Sequence, residues 1–354
     1  MTIGILTFHW ATNYGAVLQA YALQEYLTNE GHDVKIINYI PVKKSLRSCF
    51  KYRNPKNIFI QIKDLIKEQS FIPFRIKWLR LTQSYNTLNQ LYDNPPNFDC
   101  YICGSDQIWN PYFLANGEGK QTPTYFLPFG GENVRRISYA ASFGVIDYPE
   151  DLKKIIYPLI KNFNSLGVRE NTGKAILEEM DFSNVNLVPD PTLLLSNNSL
   201  NKLLPFNRIK KIDIFYYVLQ ENQILINRTL KYAKNVLKLK VTSNKSSPFM
   251  KIEDWLLSMK YSKYVVTNSF HGVIFAVLFK TPFVVIPIEN KLKGMNDRIS
   301  TLLGYFNLEN RFLERYDEKE FETILKTPID WDKVFAIKEQ LQDNANKFFK
   351  SSLV

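Results

Sequence analysis

The stretch Thr267-Asn268-Ser269-Phe270-His271-Gly272-Val273-Ile274-Phe275-Ala276-Val277-Leu278-Phe279-Lys280-Thr281-Pro282-Phe283-Val284-Val285-Ile286-Pro287 decides the fold class. The run ending at Thr267 predicts a strand over 264–267, and a polar turn carrying His271 follows it. The apolar residues over 272–279 predict a helix, Thr281-Pro282 breaks it, and 283–286 predicts a second strand. That is a βαβ unit with a histidine at its mouth. In open parallel sheets ligands bind beyond the carboxyl ends of the strands, where helix N-termini favour anions. His271, one of three histidines in the chain, is therefore a candidate for proton transfer near neutral pH. The alternative is a residue that caps the helix or fills the turn, and the local pattern does not separate the two.

Upstream, the same alternation begins at Lys211, with a strand over 212–218, a helix over 223–237, a strand over 239–242 and a helix over 253–259 that buries Trp255, Leu256 and Met259. Downstream come helices over 298–303 and 331–349. The N-terminal half reads the same way. A strand over 2–8, a polar loop over 9–15, a helix over 16–29 and a strand over 33–39 make a Rossmann-like opening, yet Gly-x-Gly-x-x-Gly is missing and no dinucleotide is indicated. A buried-type strand over 98–103 runs into Gly104-Ser105-Asp106-Gln107-Ile108-Trp109-Asn110-Pro111, a small and polar loop suited to face a ligand. Asp106 there is either a base that positions a hydroxyl or the head of a plain Asx-turn. A strand over 165–168 delivers Arg169 and Glu170, and an arginine so placed can grip a carboxylate or phosphate, or pair with Glu170 at a helix start. Pro189-Asp190-Pro191-Thr192 reads as a hinge. The expected organisation is an α/β chain of two Rossmann-like domains, 1–188 with an insertion at about 42–81, and 189–330, with helix 331–354 returning to the first.

Composition agrees. A chain of 354 residues, 45% hydrophobic and 22% charged, is globular and long enough for two cores. No apolar run approaches the roughly 20 residues that span a bilayer, and no signal sequence opens the chain, so a cytoplasmic protein is expected. Cys49, Cys100 and Cys103 are too few for a disulfide framework; Cys100 and Cys103 read as buried thiols of a strand, and no metal cluster is visible. The net charge of +11 is concentrated between Lys43 and Arg80, where eleven Lys or Arg stand against Asp64 and Glu68. Ile58, Phe59, Ile62, Leu65 and Ile66 fall at helical spacing there, giving an amphipathic helix whose basic side is either solvated or rests on the inner face of the cytoplasmic membrane. No nucleic-acid module accompanies the charge.

Five motifs together resemble the polysaccharide pyruvyl transferase family: Asn13-Tyr14-Gly15-Ala16-Val17-Leu18-Gln19, Gly104 to Asn110, Val168-Arg169-Glu170, Asp190-Pro191-Thr192-Leu193 and Asn268-Ser269-Phe270-His271-Gly272. The resemblance implies a GT-B-like fold, two Rossmann-like domains facing across a cleft. It implies phosphoenolpyruvate as co-substrate and no further cofactor. The product would be a pyruvate ketal on a capsule or exopolysaccharide sugar, free or lipid-linked. It further implies His271 as general acid; Asp106, read from its own loop, is a second catalytic candidate. Donor binding would fall to Arg169 and Lys291 with Asn268, Ser269 and Arg298, and acceptor binding to Asn13, Tyr14, Gln107 and Asn110. Many members carry an arginine where this chain has Ser269, so Lys280, Lys291, Lys293 or Arg298 must supply the missing charge. A nucleotide-sugar glycosyltransferase, or a non-catalytic glycan-binding protein, is the competing expectation on the same fold.

Overall fold

A computed structural model describes residues 1–41, 55–113, 122–205, 212–219, 223–246, 249–288 and 294–354. The chain forms two compact units, Met1–Leu195 with Leu341–Val354, and Ser196–Gln340. The first division therefore falls after the expected hinge, and the last helix contributes only its second half to the first unit.

Unit 1 is built on a parallel sheet. In chain order its elements are β1 (Thr2–Leu6), α1 (Tyr14–Asn29), β2 (Asp33–Tyr39), α2 (Pro55–Trp78), β3 (Leu81–Tyr85), α3 (Leu88–Asp93), β4 (Cys100–Cys103) and β5 (Arg135–Ala141). They continue with α4 (Glu150–Ile160), β6 (Ser165–Val168), α5 (Asn171–Glu179) and β7 (Val185–Leu187). The strand order is β3-β2-β1-β4-β5-β6-β7. The central strands are apolar almost throughout, with Ile3, Ile5, Ile102 and Ile137 fully buried, as strands covered on both faces must be. Cys100 and Cys103 are buried free thiols in β4, and burial pushes the Cys100 thiol up to about 12, which keeps it protonated and inert.

The connections are held by side chains where strands and helices give out. Between residues 127 and 134 the chain is irregular, and one guanidinium collects it: Arg136 donates to the carbonyls of Leu127 (3.0 Å), Phe129 (2.7 Å), Gly131 (3.2 Å) and Val134 (2.9 Å). At the far end of the chain Arg135 donates to the Ser352 carbonyl at 3.0 Å, and Phe349 stacks on Tyr139 at 4.5 Å. These contacts explain why the tail folds with unit 1.

Helix α2 corrects the reading of the basic insertion. Its second half buries Phe71 and Phe74 completely, while Ile62, expected on the apolar face, is 40% exposed. Lys67, expected on the solvated side, is half-buried and donates to the Thr12 carbonyl at 3.0 Å, and Arg75 further along is buried. Lys43, Lys44, Arg47, Lys51 and Cys49 lie outside the described residues.

Unit 2 comprises α6 (Asn197–Lys202), β8 (Ile212–Tyr217), α7 (Gln223–Asn235), β9 (Val241–Ser243), α8 (Ile252–Tyr261), β10 (Ser262–Thr267) and α9 (Phe270–Leu278). Then follow β11 (Phe283–Val285), α10 (Gly294–Phe306), α11 (Glu318–Lys326) and α12 (Trp331–Ser352), whose end belongs to unit 1. The parallel sheet runs β11-β10-β8-β9. Trp255, Leu256 and Met259 are buried as expected. No described helix is long and apolar enough to cross a membrane.

Just past β1, His9 is 1% exposed, with Nδ1 3.2 Å from the Thr7 carbonyl and Nε2 3.1 Å from Asn38 Oδ1. Burial lowers its pKa to about 4 against these two hydrogen bonds. The folded state thus refuses a proton that the unfolded chain accepts from pH 6.5 downward. His9 should cost stability as pH falls from about 6.5 to 4, up to about 3 kcal/mol. Urea midpoints measured across that window should drop for the native chain, with a shallower slope for His9→Gln.

Candidate functional site

Both sheets have a point where the strand order reverses direction. In unit 1 the chain adds β2 and β3 on one side of β1 and β4 to β7 on the other, so the switch lies between the parallel neighbours β1 and β4. The loops leaving these two strands are stitched together. Gln19 Nε2 donates to Thr7 Oγ1 (2.7 Å), Thr7 Oγ1 donates to the Ser105 carbonyl (3.0 Å), and the Ser105 N–H donates to Gln19 Oε1 (3.0 Å). Gly104 is obligatory beside them, because at φ +124° a Cβ would lie 2.0 Å from the Tyr139 carbonyl oxygen.

A buried charge cluster anchors this corner. Arg169, at the end of β6, donates Nη1–H to Asp190 Oδ2 at 2.7 Å, and Ser105 Oγ donates to the same oxygen at 2.9 Å. Asp190 Oδ1 accepts from the Thr192 N–H and hydroxyl at 3.0 and 2.6 Å. Burial opposes the charge on Arg169, but the carboxylates of Asp190, Glu170 and Asp106 outweigh it and hold the guanidinium protonated. Glu170 Oε1 in turn accepts from the backbone N–H groups of Phe143 and Gly144 at 2.9 and 3.3 Å. One guanidinium and two carboxylates so fix the segments that follow β4, β5, β6 and β7.

Against this frame the predicted residues of unit 1 find their places. Asp106 sits at φ +75°, a conformation that aspartate tolerates better than most, with Oδ1 accepting from the Gln107 N–H at 2.9 Å and lying 3.8 Å from Arg169 Nη2. It is mostly buried yet keeps 13% of its side chain exposed. Arg169, expected to grip a donor, is turned inward onto the chain's own carboxylates. Asp190, read as part of a hinge, is 1% exposed and is the centre of the cluster; its prolines shape a 3-10 turn, Pro191–Leu194, that belongs with unit 1. Asn13 is the N-cap of α1, its Oδ1 accepting from the Gly15 N–H at 2.9 Å. Tyr14 is buried against Phe71, the ring centroids 4.9 Å apart. Gln107 and Asn110 bond to each other at 2.9 Å across Gly144.

In unit 2 the switch lies between β8 and β10. Asn268, directly after β10, accepts from the Leu219 N–H at 2.8 Å and so joins the two strand ends. Ser269 is the N-cap of α9, its Oγ accepting from the Gly272 N–H at 3.2 Å. The helix therefore begins at Phe270, two residues before the expected start, and the capping role weighed for His271 belongs to Ser269. Gly272 is required by close packing, since a Cβ would meet Thr267 Oγ1 at 2.3 Å. His271 falls in the first turn of α9 and is 6% exposed. Its neighbour Phe270 lies edge-on to it at 5.4 Å, and the buried Arg298 guanidinium is 5.9 Å from the Phe270 ring. Arg298 is thus the cation that α10 brings to this helix start. Lys280 is at the opposite end of α9, exposed and 4.6 Å from the Phe335 ring, and Lys291 and Lys293 lie outside the described residues.

The family model described as polysaccharide pyruvyl transferase matches residues 13–290. No curated protein sequence matches the chain. Among solved structures, the S. aureus MnaA-UDP co-structure is similar at 11% identity with a TM-score of 0.50, over 99% of this chain and 90% of that one. UDP-GlcNAc 2-epimerase from Methanocaldococcus jannaschii is similar at 10% identity with a TM-score of 0.49, over 98% and 99%. At 11% identity the MnaA likeness bears on the fold alone, which is GT-B-like.

Asp190→Asn should leave the Arg169 charge buried without its closest counter-ion, a change that typically costs about 3–5 kcal/mol. Urea denaturation followed by circular dichroism checks this, and a loss below about 1 kcal/mol would deny the pair its anchoring role.

Proposed function

Since the chain belongs to the polysaccharide pyruvyl transferase family, we propose that it moves a pyruvyl group from phosphoenolpyruvate onto a sugar of a cell-surface polysaccharide or its lipid-linked precursor, forming a ketal. The observation that carries this reading is His271, set in the first turn of an apolar helix at the switch point of unit 2 with the Arg298 guanidinium near its neighbour Phe270.

In this reaction the imidazolium of His271 gives its proton to the methylene carbon of phosphoenolpyruvate, and cationic character develops at C2. One sugar hydroxyl adds to C2 and a second displaces phosphate, closing the ketal. Of the two hydroxyl protons released, one restores His271 and the other leaves with phosphate. The donor carries a phosphate and a carboxylate, which the N-terminus of α9 and the Arg298 guanidinium suit. Asn268 and Ser269 contribute by holding the loop that presents His271, through the Leu219 and Gly272 amides. Asp106, whose side chain stays partly open beside Arg169, is the candidate in unit 1 to accept a hydrogen bond from a sugar hydroxyl. Association with an anionic membrane surface through residues 43–80 would bring a lipid-linked acceptor near, and we keep it as part of the proposal.

The test is phosphate release from phosphoenolpyruvate in the presence of candidate glycans. His271→Gln should lower kcat about 10²- to 10⁴-fold with the fold retained, the usual loss for a general acid. Near-normal release would reduce His271 to a helix residue. Arg298→Ala should act instead on the KM for phosphoenolpyruvate, raising it about tenfold or more if the cation binds the donor. No release with any acceptor, together with binding of a nucleotide sugar, would favour a glycosyltransferase.

A further inference from the structure

The loop between β1 and α1 leaves the sheet at the switch point of unit 1, and its backbone is held far more firmly than a surface turn requires. Arg75 Nη2 donates to the carbonyls of Trp10 and Ala11 at 2.8 and 3.0 Å. Lys67 takes the next carbonyl, that of Thr12, at 3.0 Å. Glu68 pairs with Arg75 through one carboxylate oxygen and accepts from the Thr12 hydroxyl through the other at 2.6 Å. Three consecutive carbonyls are thus claimed by two cations of α2, and one of these, Arg75, is buried at a desolvation cost.

What this framework holds still is an indole. Phe8 and His9 are buried, whereas Trp10 is only partly so. Its Nε1–H donates to the Tyr125 hydroxyl at 3.1 Å, and Phe8 packs edge-on at 6.1 Å. Tyr125 is itself fixed against Phe8, ring centroids 4.9 Å apart, and burial raises its pKa, so the phenol stays protonated. With the N–H committed, the indole has no hydrogen bond to offer a ligand. The side chain packs in part on the core of unit 1 and is otherwise open. What an indole can then present is ring surface, whose negative π face repels an anion but attracts the slightly positive C–H groups on the apolar side of a pyranose ring. A rigid aromatic at a polar strand end binds at low entropic cost.

We propose that Trp10 is the stacking platform for the acceptor sugar, fixed in place by Arg75, Glu68, Lys67 and Tyr125. The proposal rests on the reading of the chain as a glycan-modifying enzyme and adds to it the residue that recognises the sugar. The platform serves a neutral pyranose ring and not phosphoenolpyruvate.

Two substitutions separate the π face from apolar bulk: Trp10→Phe keeps the former and Trp10→Leu only the latter. The full-length chain and both variants are applied to an array of neutral and N-acetylated bacterial oligosaccharides, with phosphoenolpyruvate binding measured by calorimetry and folding by thermal melting. Trp10→Leu should weaken glycan binding about tenfold, while Trp10→Phe stays within about threefold. Phosphoenolpyruvate affinity should not change in either. Equal glycan binding by the two variants, a parallel loss of phosphoenolpyruvate binding, or no glycan bound by the native chain would overturn the proposal. Glycan binding that depends on Trp10 without phosphate release would uphold it and sink pyruvyl transfer. Phosphate release with an unchanged acceptor KM in Trp10→Leu would do the reverse.

Discussion

The pair Arg169–Asp190 is the contact on which unit 1 depends. A guanidinium and a carboxylate removed from water are costly unless each finds further partners. Here they find Ser105, Thr192, Glu170 and Asp106, which come from segments spread over nearly ninety positions of sequence. The cost of burial becomes a constraint on geometry: the charges are compensated only when the segments following β4, β6 and β7 take one arrangement. The polar corner at the carboxyl ends of the strands is therefore held in one arrangement by the chain's own charged and polar groups.

Unit 2 shapes its corresponding corner with small neutral side chains. An asparagine reaches from one strand end to the amide beyond another, a serine caps the helix, and a glycine lets that helix approach Thr267. The result places a histidine in a helix's first turn, where the dipole favours negative charge nearby. The serine at position 269 is thereby accounted for. A capping side chain that accepts from the Gly272 amide does work that an arginine cannot do, and the Arg298 guanidinium reaches the neighbouring Phe270 ring from a different helix.

Much of this was written in the sequence, and the exceptions have physical causes. Strands β2 and β6 fall on their expected residues because Val34, Ile36, Ile37 and Tyr39 of the first and Leu166 and Val168 of the second are closely spaced buried apolar side chains, a pattern readable without knowledge of neighbours. Strand β3, Leu81–Tyr85, went unread because an edge strand rich in Thr, Gln and Ser lacks that pattern. Helix α11 was legible in principle, since Phe321, Ile324 and Leu325 are spaced three and four apart, but charges surround them. Asp190 shows the limit of local reading. Two flanking prolines signal a hinge, and nothing nearby reveals that a partner twenty-one residues earlier draws the acid into the core. Motifs at residues 13–19 and 104–110 lie at the start of α1 and after β4. They did not reveal that Asn13 is a cap, Tyr14 a core ring, or Gln107 and Asn110 mutual partners, because those roles are set across the fold.

The arginine that gathers the carbonyls of residues 127–134 has counterparts in Arg75, which takes two carbonyls of the β1–α1 loop, and in Arg311, which donates to those of Ile324, Thr327 and Pro328. Each stands in for the strand or helix partners that an irregular segment lacks, and a lysine, with no planar fork, could not replace it. Much of the positive charge in these side chains is therefore directed inward. The isoelectric point near 9.3 therefore counts, beside the charges that face solvent, guanidinium groups whose task is to tie down loops.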